Sequence, residues 1–97
     1  MWRDSITIYR ENICDVERIV ANGCHIEYRV EEKADITGSW PRDVCFLTAP
    51  AGTDIRPGDR ICDGIGPEQR PEALPRIAWV KPFFVDGKLH HLEAEAV

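Results

Sequence analysis

The side chains able to do chemistry in this chain are three histidines and four cysteines, arranged as the doublets Cys24-His25 and His90-His91 and the singles Cys14, Cys45 and Cys62. The two doublets together offer the ligand types of a zinc centre. Zinc sites, however, draw on closely spaced ligand pairs held by a tight turn, and neighbours on a strand point to opposite faces, which limits what each doublet can present. As acid–base groups, His90 and His91 lack a nucleophile or carboxylate placed by sequence to orient them, so they read as packing and surface residues. His25 falls on the polar side of an alternating strand and reads as solvated. Gly64-Ile65-Gly66 lacks the third glycine and the following helix of a phosphate-binding fingerprint. The expectation is a protein that is not an enzyme, with no catalytic residue, no metal and no cofactor.

Charge and composition narrow the classes further. Seventeen acidic against twelve basic residues give a net charge of −5, which disfavours tight binding to phosphate backbones. Nothing approaches the roughly 20 consecutive apolar residues of a membrane-spanning helix, and the start of the chain lacks a signal-like apolar run. A soluble protein is expected, in a reducing compartment, with four free thiols acting mostly as small buried hydrophobes. A chain of 97 residues, 43% apolar and 30% charged, has the composition of one globular domain, residues 1–97, with a single modest core.

The elements that position these residues are organised around DIRPGDRICDG, residues 54–64. Pro57 sets φ for the second position of a type II turn and Gly58 supplies the positive φ of the third, so residues 56–59 reverse the chain with Ile55 and Ile61 facing a core on either side. Residues 5–9 alternate polar and apolar as a strand with Ile6 and Ile8 inward. Residues 11–21 carry helical spacing in Ile13, Val16, Ile19 and Val20, but Asn22-Gly23 is a strong hairpin signal. A two-residue loop there pairs Ala21 with Cys24, Ile19 with Ile26 and Arg18 with Glu27, favouring a strand from about Asp15. Residues 24–32 alternate cleanly, with Cys24, Ile26, Tyr28 and Val30 inward.

Residues 33–41 read as a polar loop ending before Pro41, with Trp40 either plugging one end of the domain or forming part of a contact surface. Residues 43–49 are apolar on both faces, as for a central strand. Residues 64–76, with three prolines and two glycines, read as an irregular excursion, functional or mobile at that length. The final hairpin turns at Asp86-Gly87, pairing Phe83 with His90 and Trp79 with Ala94 and leaving the Pro82 strand broken or at an edge. The expected fold is mainly β, a small barrel or sandwich of about six to seven antiparallel strands with long irregular loops. Tyr28, Phe46, Ile61 and Trp79 are expected in its core.

In that order of parts, with DIRPGDRI at the centre and LHHLEA near the end, the chain resembles small β-rich structural proteins of tailed bacteriophages and prophages, of the minor capsid or head–tail connector kind. The resemblance spans about two thirds of the chain, residues 64–75 and the acidic tail being departures. It implies a virion protein that forms a ring at the neck or tail, contacting copies of itself and other virion proteins and residing in host cytoplasm during assembly. No catalytic position carries over. The polar and aromatic residues of the two loops and the turn are the candidate contacts: Trp40, Arg42, Arg56, Glu68, Gln69 and Arg70. The competing expectation is a small soluble β-barrel binding or adaptor module, monomeric, with a pocket near Trp40 or Trp79.

Overall fold

The computed structural model describes residues 2–35 and 38–97, and their side chains apart from those of residues 31–42. Six strands, β1 (Asp4–Glu11), β2 (Val16–Asp35), β3 (Gly38–Pro50), β4 (Arg60–Asp63), β5 (Ile77–Val85) and β6 (Lys88–Ala96), form one open antiparallel sheet in the order β4-β1-β2-β3-β6-β5. No helix occurs among the described residues. The core lies on one face of the sheet. Ile6 and Ile8 of β1, Cys24 of β2, Cys45, Leu47 and Ala49 of β3, Ile61 of β4, Ile77 of β5 and Ala94 and Ala96 of β6 alternate inward and pack with Ile55 from the loop before β4.

The turn at residues 56–59 forms as its sequence predicts. The Asp59 amide donates to the Arg56 carbonyl at 3.1 Å and Gly58 has φ of 91°. Gly58 and Ile77 then bond across, the Gly58 amide to the Ile77 carbonyl at 2.8 Å and the Ile77 amide to the Asp59 carbonyl at 2.7 Å, and a single backbone bridge joins Arg60 to Arg76. The start of the last strand in the sheet order therefore touches the first.

Asn22-Gly23 does not make a hairpin. β2 runs straight through it, and β1 pairs with β2 as Ile8 opposite Ile19 and Tyr9 opposite Arg18. The turn between the two strands is at residues 12–15, where the Asn12 amide donates to the Asp15 carbonyl at 2.8 Å. The register slips by one residue between Asp4 and Ile6, and Gly23, at φ of 73°, supplies the left-handed residue of the resulting bulge. The Ser5 hydroxyl donates to the Asn22 side-chain oxygen at 2.7 Å and holds the bulge in place. An Asn-Gly pair satisfies a bulge as well as a turn, because both need one residue with positive φ; the long apolar partner strand β1 decided between them.

Residues 33–41 also differ from expectation. Lys33–Asp35 continue β2 and Gly38–Pro41 begin β3, pairing as Lys33 with Trp40 and Asp35 with Gly38. β2 changes partners along its length, pairing with β1 up to Cys24 and with β3 from His25. β6 reaches β3 only as far as Cys45. Beyond that point the β2–β3 ribbon overhangs the rest of the sheet. Tyr28 and Val30 are on the inward side of their strand yet 62% and 68% exposed.

Of the four residues expected in the core, Ile61 is buried, Tyr28 is exposed, and Phe46 and Trp79 are half-buried. Phe46 faces outward beneath the Arg29 guanidinium, 4.3 Å from its ring centre. A register slip between Ile77 and Trp79 turns Trp79 outward, where its indole N–H donates to Glu95 at 2.8 Å, and Val80 packs against the core instead. The β5–β6 hairpin turns at Asp86-Gly87 as expected, both with positive φ, but a second slip pairs Phe83 with His91. Pro82 sits on β5, at the end of the sheet order, where its missing N–H costs little.

Candidate functional site

The densest set of side-chain contacts surrounds β1. Arg10 continues the inward row of Ile6 and Ile8, and its buried guanidinium meets Asp59 in a two-pronged pair, Nε to Oδ1 at 3.0 Å and Nη2 to Oδ2 at 2.9 Å. Its third nitrogen, Nη1, reaches Asp54 at 3.0 Å, and Nη2 also donates to the Asp54 backbone carbonyl. Asp59, itself buried, accepts the Arg56 amide at 2.9 Å. The turn and β1 are thus locked by one charge cluster whose geometry is that of a strong charge-assisted pair. Hydrogen bonds donated to Asp59 and Asp54 push the Arg10 pKa further up against the opposing effect of burial, while the hydrogen bond from Arg10 holds the Asp54 carboxyl below its ordinary value.

The opposite face of β1 is covered by the start of the excursion. Thr7 Oγ1 donates to the Gly64 carbonyl at 2.8 Å and accepts the Gly66 amide at 2.7 Å. The Tyr9 hydroxyl donates to the Pro67 carbonyl, and Arg18 donates twice to the Gly66 carbonyl. Gly66 lies so close to the Tyr9 hydroxyl and the Cys62 sulfur that no Cβ fits there. The excursion has no strand, as predicted, but at residues 64–67 it is a fitted cover over β1.

The candidate contact residues spread over two areas. Arg56 is exposed on the turn, paired to Asp54 at 3.2 Å, and lines a polar hollow of about 340 Å³ with Arg10, Glu11 and Asn12. Arg70 reaches Glu11 at 3.4 Å and Arg60 lies 3.9 Å from the same carboxylate, so Glu11 ties the excursion and β4 to the end of β1. Glu68 and Gln69, next to Arg70 in the chain, are exposed. The side chains of Trp40 and Arg42 lie outside the described residues; their backbones pair with Lys33 and Glu31 in the overhanging ribbon.

A larger hollow, about 650 Å³, opens beneath that ribbon. Tyr28, Val30, Cys45, Arg29 and Asp43 line it from the ribbon, Ala73, Leu74 and Pro75 from the excursion, and Ala96 and Val97 from the end of β6 and the residue after it. Its size falls in the range of ligand pockets and its lining is mainly apolar. The sequence did not mark it, because Leu74 and Pro75 belong to an irregular stretch and Tyr28 and Val30 look like core. The signal available was the excess of inward apolar positions on β2 beyond the length of β1.

The histidines fall in two separate places. His91 stacks flat on Phe83, with ring centres 5.0 Å apart, meets the edge of Trp2, and places Nε2 2.9 Å from Glu93. Glu93 is thus the orienting carboxylate that sequence reasoning placed outside and did not connect to His91. The Nδ1 atoms of His90 and His91 lie 2.8 Å apart, so one of the two carries the shared hydrogen. His25 lies 3.8 Å from Asp4, half exposed. Among the described residues no group of three or more metal-ligating side chains converges. All four cysteines are free; burial pushes the Cys24 and Cys45 thiols up to about 11, Cys14 is exposed and Cys62 half-buried. The Cys24 and Cys45 thiols are therefore poor nucleophiles and good packing groups.

A scan against protein-family models finds no match, and neither the curated proteins nor the solved structures return one.

Proposed function

We propose that this protein is a structural subunit of a tailed-phage virion, forming a ring at the neck or tail, with no catalytic role of its own. The observation that carries this reading is the overhanging β2–β3 ribbon. A two-stranded ribbon is marginal in water, yet this one extends well past the last strand of its own sheet and presents Tyr28 and Val30 to solvent. The chain accordingly has a radius of gyration of 14.5 Å, against about 12.5 Å expected for a compact domain of this length. An element of that kind gains its stability from a neighbour. The acidic charge suits a passage along which DNA slides without sticking. The Arg60–Arg76 bridge, which brings the two ends of the strand order together, favours a barrel as the form of the subunit in the ring.

The 650 Å³ hollow favours a second reading, a monomeric binding module that takes an apolar ligand beneath the ribbon. Size-exclusion chromatography with light scattering, run on the isolated chain across a wide concentration range, separates the two. The ring reading expects discrete oligomers at high concentration. A monomer throughout, with an apolar ligand retained, replaces it with the binding module.

A further inference from the structure

The molecule carries a second unpartnered apolar feature, at the other end of β6 from the hollow. Around the β5–β6 turn, Phe83, Phe84, Val85 and Leu89 are all exposed, Phe84 at 62%. The turn is a protruding knob, since the last pair that β6 makes with β3 is His91 with Pro50. The hollow is a socket at the far end of the same strand, lined there by Ala96 and Val97. Eight residues of strand separate Lys88 from Ala96, roughly 26 Å at the usual rise, so the knob cannot fold back into its own socket.

We propose that the β5–β6 turn of one copy of this chain seats Phe84 and Val85 in the hollow between Val30 and Leu74 of the next copy. The charges agree. Residues 81–90 carry two lysines against one aspartate. Where the ribbon lines the socket, Arg29 is already paired with Glu27 at 2.9 Å, and Asp43 supplies a negative charge. A knob and a socket on different surfaces of one molecule make a head-to-tail contact, which closes into a ring when the rotation per copy divides a full turn and otherwise runs on as a filament. The contact would also cover the overhanging ribbon, with the rings of Phe84 and Tyr28 and two valines, Val85 and Val30, shielded from water. This inference rests on the ring-forming reading and names the contact that builds the ring.

The test uses two variants of the full chain, Phe84→Glu, which spoils the knob and leaves the socket, and Val30→Glu, which does the reverse. Both positions are mostly exposed, and matching thermal melts verify folding; a variant that melts early is replaced by Phe84→Ser or Val30→Ser in the same assay. The expected result is oligomers from the native chain, monomers from each variant alone, and a one-to-one heterodimer, nothing larger, when the variants are mixed, because only one good knob and one good socket then exist per pair. Native-like oligomers from either variant would overturn this contact and leave the ring reading standing. A native chain that stays monomeric at every concentration would overturn both.

Discussion

The two halves of β2 live in different surroundings although their sequences alternate in the same way. From Val16 to Cys24 the strand is zipped to β1, a strand paired on both sides, with Ile6 and Ile8 in the core beneath and the Gly64–Pro67 cover above. From Tyr28 onward the same strand has one neighbour, β3, and its inward apolar residues meet solvent. Alternation tells which residues share a face. Whether that face becomes core depends on what packs against it, and here Tyr28 and Val30 stay exposed.

The contrast can be broken at its firm end first. Asp59→Ala leaves the Arg10 guanidinium buried with its one buried carboxylate partner gone, and should cost about 3–5 kcal/mol in urea unfolding. A loss below about 1 kcal/mol would mean that Arg10 swings out to water and that the cluster is decoration. Next come the thiols. With Cys24 and Cys45 raised from 9.0 to about 11, their thiolate fraction near neutral pH is roughly a hundredfold below that of an ordinary cysteine. Ellman's reagent should therefore label Cys14 in the native protein long before these two, and all four only after unfolding. Four thiols reacting at one rate would remove Cys24 and Cys45 from the core.

Gly66→Ala places a methyl group against the Tyr9 hydroxyl and the Cys62 sulfur, an overpacking that should cost about 1–3 kcal/mol. Stability equal to the native protein would show that the cover over β1 lifts freely. Asp54→Asn is smaller, because the Asp54 carboxylate is more than half exposed and screened by salt. Its folded pKa is depressed, so its contribution is complete above the unfolded value of about 3.9 and vanishes as pH falls through the folded one. The stability difference between native and variant should accordingly be level from neutral pH to about pH 4 and shrink below it; a difference that grows on acidification reverses the sign. Smallest of all is Val30→Ser in the monomer, expected within about 0.5 kcal/mol of the native protein as for other exposed positions, whereas a loss above 2 kcal/mol would place Val30 in a core.

Much of this fold was legible in the sequence. The Pro57-Gly58 turn, the Asp86-Gly87 hairpin, the inward row of Ile6 and Ile8, the central position of residues 43–49 and the strandless stretch after Gly64 all follow from local rules that need no partner. The errors have a common origin in non-local pairing. Asn22-Gly23 read as a hairpin turn until β1 claimed residues 16–21, Trp79 faced inward until a slip at Ala78 reversed it, and Tyr28 looked like core because strand length beyond the sheet leaves no local trace. Of the densest side-chain cluster, only the turn itself was visible. The charge cluster had a signal, an arginine at the position two beyond Ile8 where the alternation calls for an apolar residue, and two aspartates bracketing the Pro-Gly turn, but linking them requires knowing that β1 and β4 are neighbours.

The Asn22-Gly23 bulge acts on everything after it as a change of phase. Before it the inward residues of β2 are odd-numbered, Ile19 and Ala21; after it they are even-numbered, Cys24 and Ile26. Removing Gly23 alone would restore strict alternation through the strand and leave Cys24 and Ile26 facing the core, at the loss of the bulge. Removing Asn22 and Gly23 together would turn His25 and Glu27 toward the core and send Cys24 and Ile26 to the surface. The one extra residue of the bulge thus sets the phase of the strand, and the parity of the chain length there decides which half of the side chains beyond it is wet.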